Sequence, residues 1–178
     1  MNYDEIGQSL IELYDEIFVN TKRLKKKTYK DDISYYKEKY KELFADIKGI
    51  CDNGDETRFL AIAEAVPSRV FQYLSDIKSK RKRNLELLDY NLAMVSFFVP
   101  LIGEVKSDGA EQLTDCMVDA WNKTFPETKI GKASVESING GFKSSLCYVT
   151  TAVCRSMNKP DDCYELTMLR EYRDKYLS

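Results

Sequence analysis

Apolar residues along this chain recur at steps of three and four, the spacing that lines one face of an α-helix. Ile6, Leu10, Leu13 and Ile17 form the first such stripe. A basic stretch, residues 22–27 (KRLKKK), interrupts it and reads as a solvated helix end or connector. Asp31 and Asp32 suit a helix N-terminus, where carboxylates meet the positive end of the helix dipole. They open a second stripe of Ile33, Tyr36, Tyr40, Leu43, Phe44 and Ile47, which ends at a turn by composition, Asp52-Asn53-Gly54-Asp55.

A third helix is expected from Glu56, carrying Phe59, Leu60, Ala63 and Val66. Pro67 marks a kink or a fresh start, because proline has no amide proton to give inside a helix. Val70, Phe71, Leu74 and Ile77 follow at helical spacing. The basic run 78–83 then precedes the most apolar segment, Leu85 to Ile102, which Pro100 and Gly103 are expected to bend or end. Asp108 opens a helix with Leu113, Met117, Ala120 and Trp121 on one side, and Phe125-Pro126 closes it. A brief helix is expected at Ser134–Ile138, then two last ones at Leu146–Met157 and Asp162–Leu177, split by Asn158-Lys159-Pro160. No segment alternates long enough to predict a strand. The expected fold is all-α, seven or eight helices in an orthogonal or bundle array. Residues 1–84 form a hairpin-like N-terminal region, in the same domain or apart from it, and 85–178 a C-terminal helical region.

Composition narrows the chemistry. With 178 residues, 43% of them hydrophobic, the chain is large and apolar enough to bury a core. It contains no histidine, which removes a Ser-His-Asp triad, a Cys-His dyad, a histidine-ligated metal and a histidine general base. A net charge of −2 argues against a dedicated nucleic-acid binder. The first residues, Met1 to Ile6, have no signal-peptide pattern. The longest apolar run, Leu92 to Ile102, is about half the roughly 20 residues that span a bilayer, so no membrane span is expected. The cysteines Cys51, Cys116, Cys147, Cys154 and Cys163 are odd in number and favour free thiols in a reducing, cytoplasmic setting. No cofactor is implied.

The segment Cys147-Tyr148-Val149-Thr150-Thr151-Ala152, followed by Leu169-Arg170-Glu171-Tyr172-Arg173-Asp174, resembles the bacterial CFI-box C-terminal domain family. In that family a Cys-Phe-Ile-(Ala/Thr)-Thr-Ala motif precedes a helix with Leu-Arg-x-Phe-Arg-Asp. Tyr148, Val149 and Tyr172 replace the family's Phe, Ile and Phe, like for like. The link 159–166 and the segment from Trp121 to Lys132 resemble clostridial versions. The resemblance covers about the last third of the chain and implies a bacterial domain without implying a reaction.

The tail can also be read physically. On one helix, Cys147, Thr150, Thr151 and Cys154 fall at i, i+3, i+4 and i+7. Such a face of small side chains lets a neighbouring helix come close, and the threonine hydroxyls can bond back to their own backbone. Cys147 and Cys154 lie roughly 10.5 Å apart along a helix, too far for a disulfide. Cys163 could reach either across the turn. A redox or metal-linked role for Cys147, Cys154 or Cys163 stays as an alternative to packing. Arg170 and Asp174 are spaced for a pair on their own helix, and Arg173 for a partner elsewhere, against a phosphate or carboxylate ligand for the two arginines.

Lys80, Arg81, Lys82 and Arg83 are the candidate anion patch, for nucleic acid or acidic lipid, together with 22–27. No aromatic platform for bases adjoins them. Asp115 and Asp119, at i, i+4, read as ordinary surface carboxylates, and Gly131-Lys132-Ala133-Ser134 lacks the upstream glycine of a phosphate loop. The leading expectation is an interaction or structural module without catalytic activity, its partner another protein or a second copy, with thiol chemistry and weak anion binding as alternatives. If Cys147 is packed, Cys147→Leu should cost about 1–3 kcal/mol by overpacking. Its native thiol should then label slowly with maleimide. Fast labelling, with an unchanged unfolding midpoint in the leucine variant, would reverse that reading.

Overall fold

The computed structural model describes residues 2–21, 25, 27–53 and 56–141, and every regular element among them is helical. The expected all-α architecture is what the described residues form. The tail motif from Cys147 to Asp174 lies outside them. Helix α1 (Tyr3–Thr21) begins with a reciprocal cap. The Glu5 amide donates to Asn2 Oδ1 at 2.9 Å and the Asn2 amide to Glu5 Oε2 at 2.8 Å. Its whole predicted stripe is buried, with Tyr14 added.

The second predicted stripe divides into α2 (Tyr29–Lys39) and α3 (Lys41–Asn53). Tyr40, at φ −106° and ψ 25°, breaks the helix, and its hydroxyl is held by Glu16 of α1. A tertiary contact therefore decides a break that periodicity does not show. Beyond it come α4 (Glu56–Ala63) and α5 (Ala65–Ser75), with Pro67 in the first turn of α5, where a missing amide proton costs little. Two positions depart from the predicted stripes. Leu60 and Phe71 are exposed, while Phe59, Ile62, Val66 and Val70 face the core.

The centre of the fold is one continuous helical rod. It comprises α6 (Lys80–Ala93), a π-helical turn at Met94–Phe98, and α7 (Val99–Gly103). Then follow α8 (Gly109–Thr124) and the short α9 (Val135–Gly141). Helix α1 packs on both α6 and the π-turn, and α8 packs on α7. Buried residues from either side of residue 84 join one hydrophobic cluster. Tyr14 of α1 donates to the Tyr90 carbonyl at 2.7 Å, and Trp121 of α8 donates to Asn91 Oδ1 at 2.8 Å. Helices α3 and α8 meet closely at Gly109, where an added Cβ would fall on the Cys51 carbonyl.

By length and composition, Lys80–Gly103 could cross a membrane. Yet 67% of its most apolar window is buried against the other helices, so that apolar surface is core.

Pro100 does not end the rod. In an unbroken helix the amide of residue 100 would bond the carbonyl of residue 96, and proline has none. The π-turn lies just before it, and Val99 N–H bonds Met94 O across five residues. The Ser96 carbonyl instead accepts the phenol of Tyr29 at 2.8 Å. Tyr29 is fully buried, and that burial pushes its phenol well above the ordinary range, so it stays a donor. Tyr29→Phe should then cost about 1–3 kcal/mol by leaving a buried carbonyl unpaired. In a Pro100→Ala background, where an amide is restored, the same change should cost less. A double-mutant cycle by urea unfolding checks this, with equal costs in the two backgrounds as the contrary result.

Candidate functional site

Of the residues that sequence reading marked as candidate sites, the basic patch lies within the described residues. Lys80, Arg81, Lys82 and Arg83 are the first turn of α6. The turn forms because Ser79 is extended, at φ −78° and ψ 114°, and its hydroxyl accepts the Lys82 amide at 3.4 Å. All four side chains are exposed, as is Lys78. No ion pair among the described residues involves them. No acidic residue occupies this turn. Four cations thus sit at the positive end of a helix dipole, an arrangement that opposes the usual preference for carboxylates there. Of the other basic run, only Lys25 and Lys27 are described, and both are exposed.

Directly after the cations, α6 turns leucines outward. Leu87, Tyr90, Asn91 and Met94 face the core. Leu85, Leu88, Leu92 and Val95 follow each other at steps of three, four and three on another face. Leu85 is 56% exposed and Leu88 37%, while Leu92 and Val95 are half-buried. The stripe therefore starts in solvent and runs down into the fold. Taken as one apolar segment, Leu85 to Ile102 does not announce this exposed face. The signal was present as a second 3-4 register, but a helix with two apolar registers does not reveal which one its neighbours cover.

The most organised polar cluster joins α1 to α2, and no local spacing could announce it. Glu16 Oε2 accepts Lys39 Nζ at 2.6 Å and the Tyr40 hydroxyl at 2.7 Å. Its Oε1 accepts the Tyr35 hydroxyl at 3.3 Å, and Asn20 donates to Tyr36 OH at 2.7 Å nearby. Burial pushes the Glu16 carboxyl up, but hydrogen bonds from Lys39 and Tyr40 outweigh it and hold the group below the usual carboxylate range. Tyr40, desolvated and bonded to that carboxylate, is pushed up to about 12. The hollow beside it, lined by Asp31, Ser34, Tyr35, Glu38 and Lys39, is shallow and open. This is a structural clamp. Its carboxylate is saturated with donors and has little basicity left for proton transfer.

The remaining polar candidates resolve as structure. Asp115 pairs with Lys132 at 2.8 Å, and that lysine also caps the Glu111 carbonyl at 3.0 Å. Asn122 holds both backbone groups of Ile130, at 2.7 and 3.0 Å, fixing the loop between α8 and α9. Lys132 is therefore a loop anchor. Cys51 is buried, and burial pushes its thiol up to about 11, leaving it a poor nucleophile near neutral pH. Among the described residues no group of three or more acidic or cysteine side chains could hold a metal ion. Cys147, Thr150, Thr151, Cys154, Cys163, Arg170, Arg173 and Asp174 lie outside the described residues.

No protein-family model matches the chain, and neither a curated protein nor a solved structure matches it.

The Glu16 clamp has a pH sign. A carboxyl lowered in the folded state contributes stability that is present above its unfolded value, near 4.3, and lost as pH falls through the folded one. Glu16→Gln should cost about 1 kcal/mol at pH 7. That difference should shrink steadily below about pH 4. Unfolding midpoints of the two proteins against pH check it, and a pH-independent gap would contradict the assignment.

Proposed function

We propose that this protein is a non-catalytic, cytoplasmic interaction module, with its tail belonging to the CFI-box C-terminal domain type and its outward α6 face serving as the docking surface. One observation carries the reading: Leu85 and Leu88 stand exposed in register on the longest helical rod, beginning an apolar seam with coiled-coil spacing. A single exposed leucine is ordinary on a protein surface. Leucines aligned at three- and four-residue steps form a face that a partner helix can cover. The polar groups within the described residues support the same side. Glu16, Asn91, Asn122 and Lys132 are each engaged in holding helices or loops together.

A photo-crosslinking residue placed at Leu85 should capture a defined partner in the native host. The same residue at Gln72, exposed on α5, should not capture it. Identical crosslinking from both positions, or none from position 85, would count against an α6 docking face.

A further inference from the structure

Resting on the docking reading above, we infer that the partner of this face is a helix of another protein, acidic in its N-terminal turns, laid parallel to α6. Two features on one helix lead to it. The seam of Leu85, Leu88 and Leu92 supplies apolar contact over about two turns. Immediately N-terminal to it, Lys80–Arg83 form an exposed cationic turn, and no ion pair among the described residues involves them.

Charge along α6 also has a direction. The cations of its first turn give way to Glu86 and Asp89. A parallel partner with carboxylates in its first turns and a cation farther on matches both signs. Acidic first turns are also what a helix ordinarily prefers, because they meet its own dipole.

A second copy of this chain fits worse in either direction. Parallel, it sets Lys80–Arg83 against the same four cations. Antiparallel about the centre of the seam, it sets them near residues 94–97, Met-Val-Ser-Phe, which carry no charge. An acidic lipid surface would attract the cations and could take up the leucines, but it would repel Glu86 and Asp89, which follow them on the same helix. Nucleic acid would leave the leucines uncovered. An acidic helix uses both features, and the rim charges would steer encounter and orientation while the leucines hold the complex.

The test uses the full chain and two fluorescent helical peptides of identical composition, with leucines at three- and four-residue steps. One carries glutamates in its N-terminal half and lysines in its C-terminal half, and the other has the halves exchanged. Anisotropy titration should show the glutamate-first peptide binding at least about tenfold tighter, with the difference fading as salt screens the rim charges. Combining Lys80→Gln, Arg81→Gln, Lys82→Gln and Arg83→Gln should cut the preference between peptides several-fold, leaving only the share that Glu86 and Asp89 supply. Combining Leu85→Ser and Leu88→Ser should weaken both peptides alike. All six positions are solvent-exposed, and circular dichroism verifies that each variant folds. Equal binding of the two peptides, no binding of the glutamate-first one, or displacement of it by phosphatidylserine vesicles or single-stranded RNA would each overturn the inference. If position 85 still crosslinks a protein in cells after such a result, the docking reading stands and only the acidic-helix partner falls. Loss of both removes the docking face itself.

Discussion

A proline in the buried stretch of the central helical rod sets the constraint on which the rest of this structure depends. Pro100 removes the amide that the Ser96 carbonyl would ordinarily use, deep in a core where water cannot substitute. The chain meets this in two ways at once. The helix widens into a π-turn over Met94–Phe98, and Tyr29 of α2 brings a phenol from outside the helix to the stranded carbonyl. That bond ties the α2 N-terminus to the central rod. Tyr36 continues the contact edge-on to Phe97, at 6.4 Å between rings. A defect in one helix thereby locates another.

The same logic of polar atoms placed in apolar layers recurs around α1. Tyr14 stands between Tyr90, Phe98 and Trp121, and its hydroxyl still finds the Tyr90 carbonyl. Trp121 finds Asn91. Buried aromatic rings supply large apolar area, and their polar tips tie α1 and α8 to α6 through directional bonds that leucines would lack. The Glu16 clamp performs the equivalent task at the edge of the core, holding α2 to α1 through charge-assisted bonds. With the core helices held this way, α6 keeps Leu85 and Leu88 exposed at its N-terminal end.

The proposed docking function rests on that exposed face. The rod enters the core through its α7 end and leaves it through its α6 end, so burial decreases along a single stripe from Val95 to Leu85. A solvated cationic turn then caps the exposed end. Polarity, apolar contact and rigidity are combined on one element, which is the combination that helix-in-groove recognition uses.

Much of this was legible in the residues. Stepping by three and four fixes helices because only that repeat puts Ile6, Leu10, Leu13 and Ile17, or Leu113, Met117 and Trp121, on one side of a chain rising 1.5 Å per residue. The residues likewise placed the opening of α8 after Asp108, though its carboxylate makes no capping bond, and the short α9 after Ser134, whose hydroxyl receives the Ser137 amide. What the residues left undecided needed two distant segments to meet. The break at Tyr40 depends on Glu16, the passage of the rod through Pro100 depends on Tyr29, and the outward turn of Leu60, Phe71 and Leu85 depends on which neighbours cover the other side of each helix. A sequence determines the faces a helix can offer, through its own period. Only packing in three dimensions decides which face is buried, because that choice rests on contacts between residues tens of positions apart.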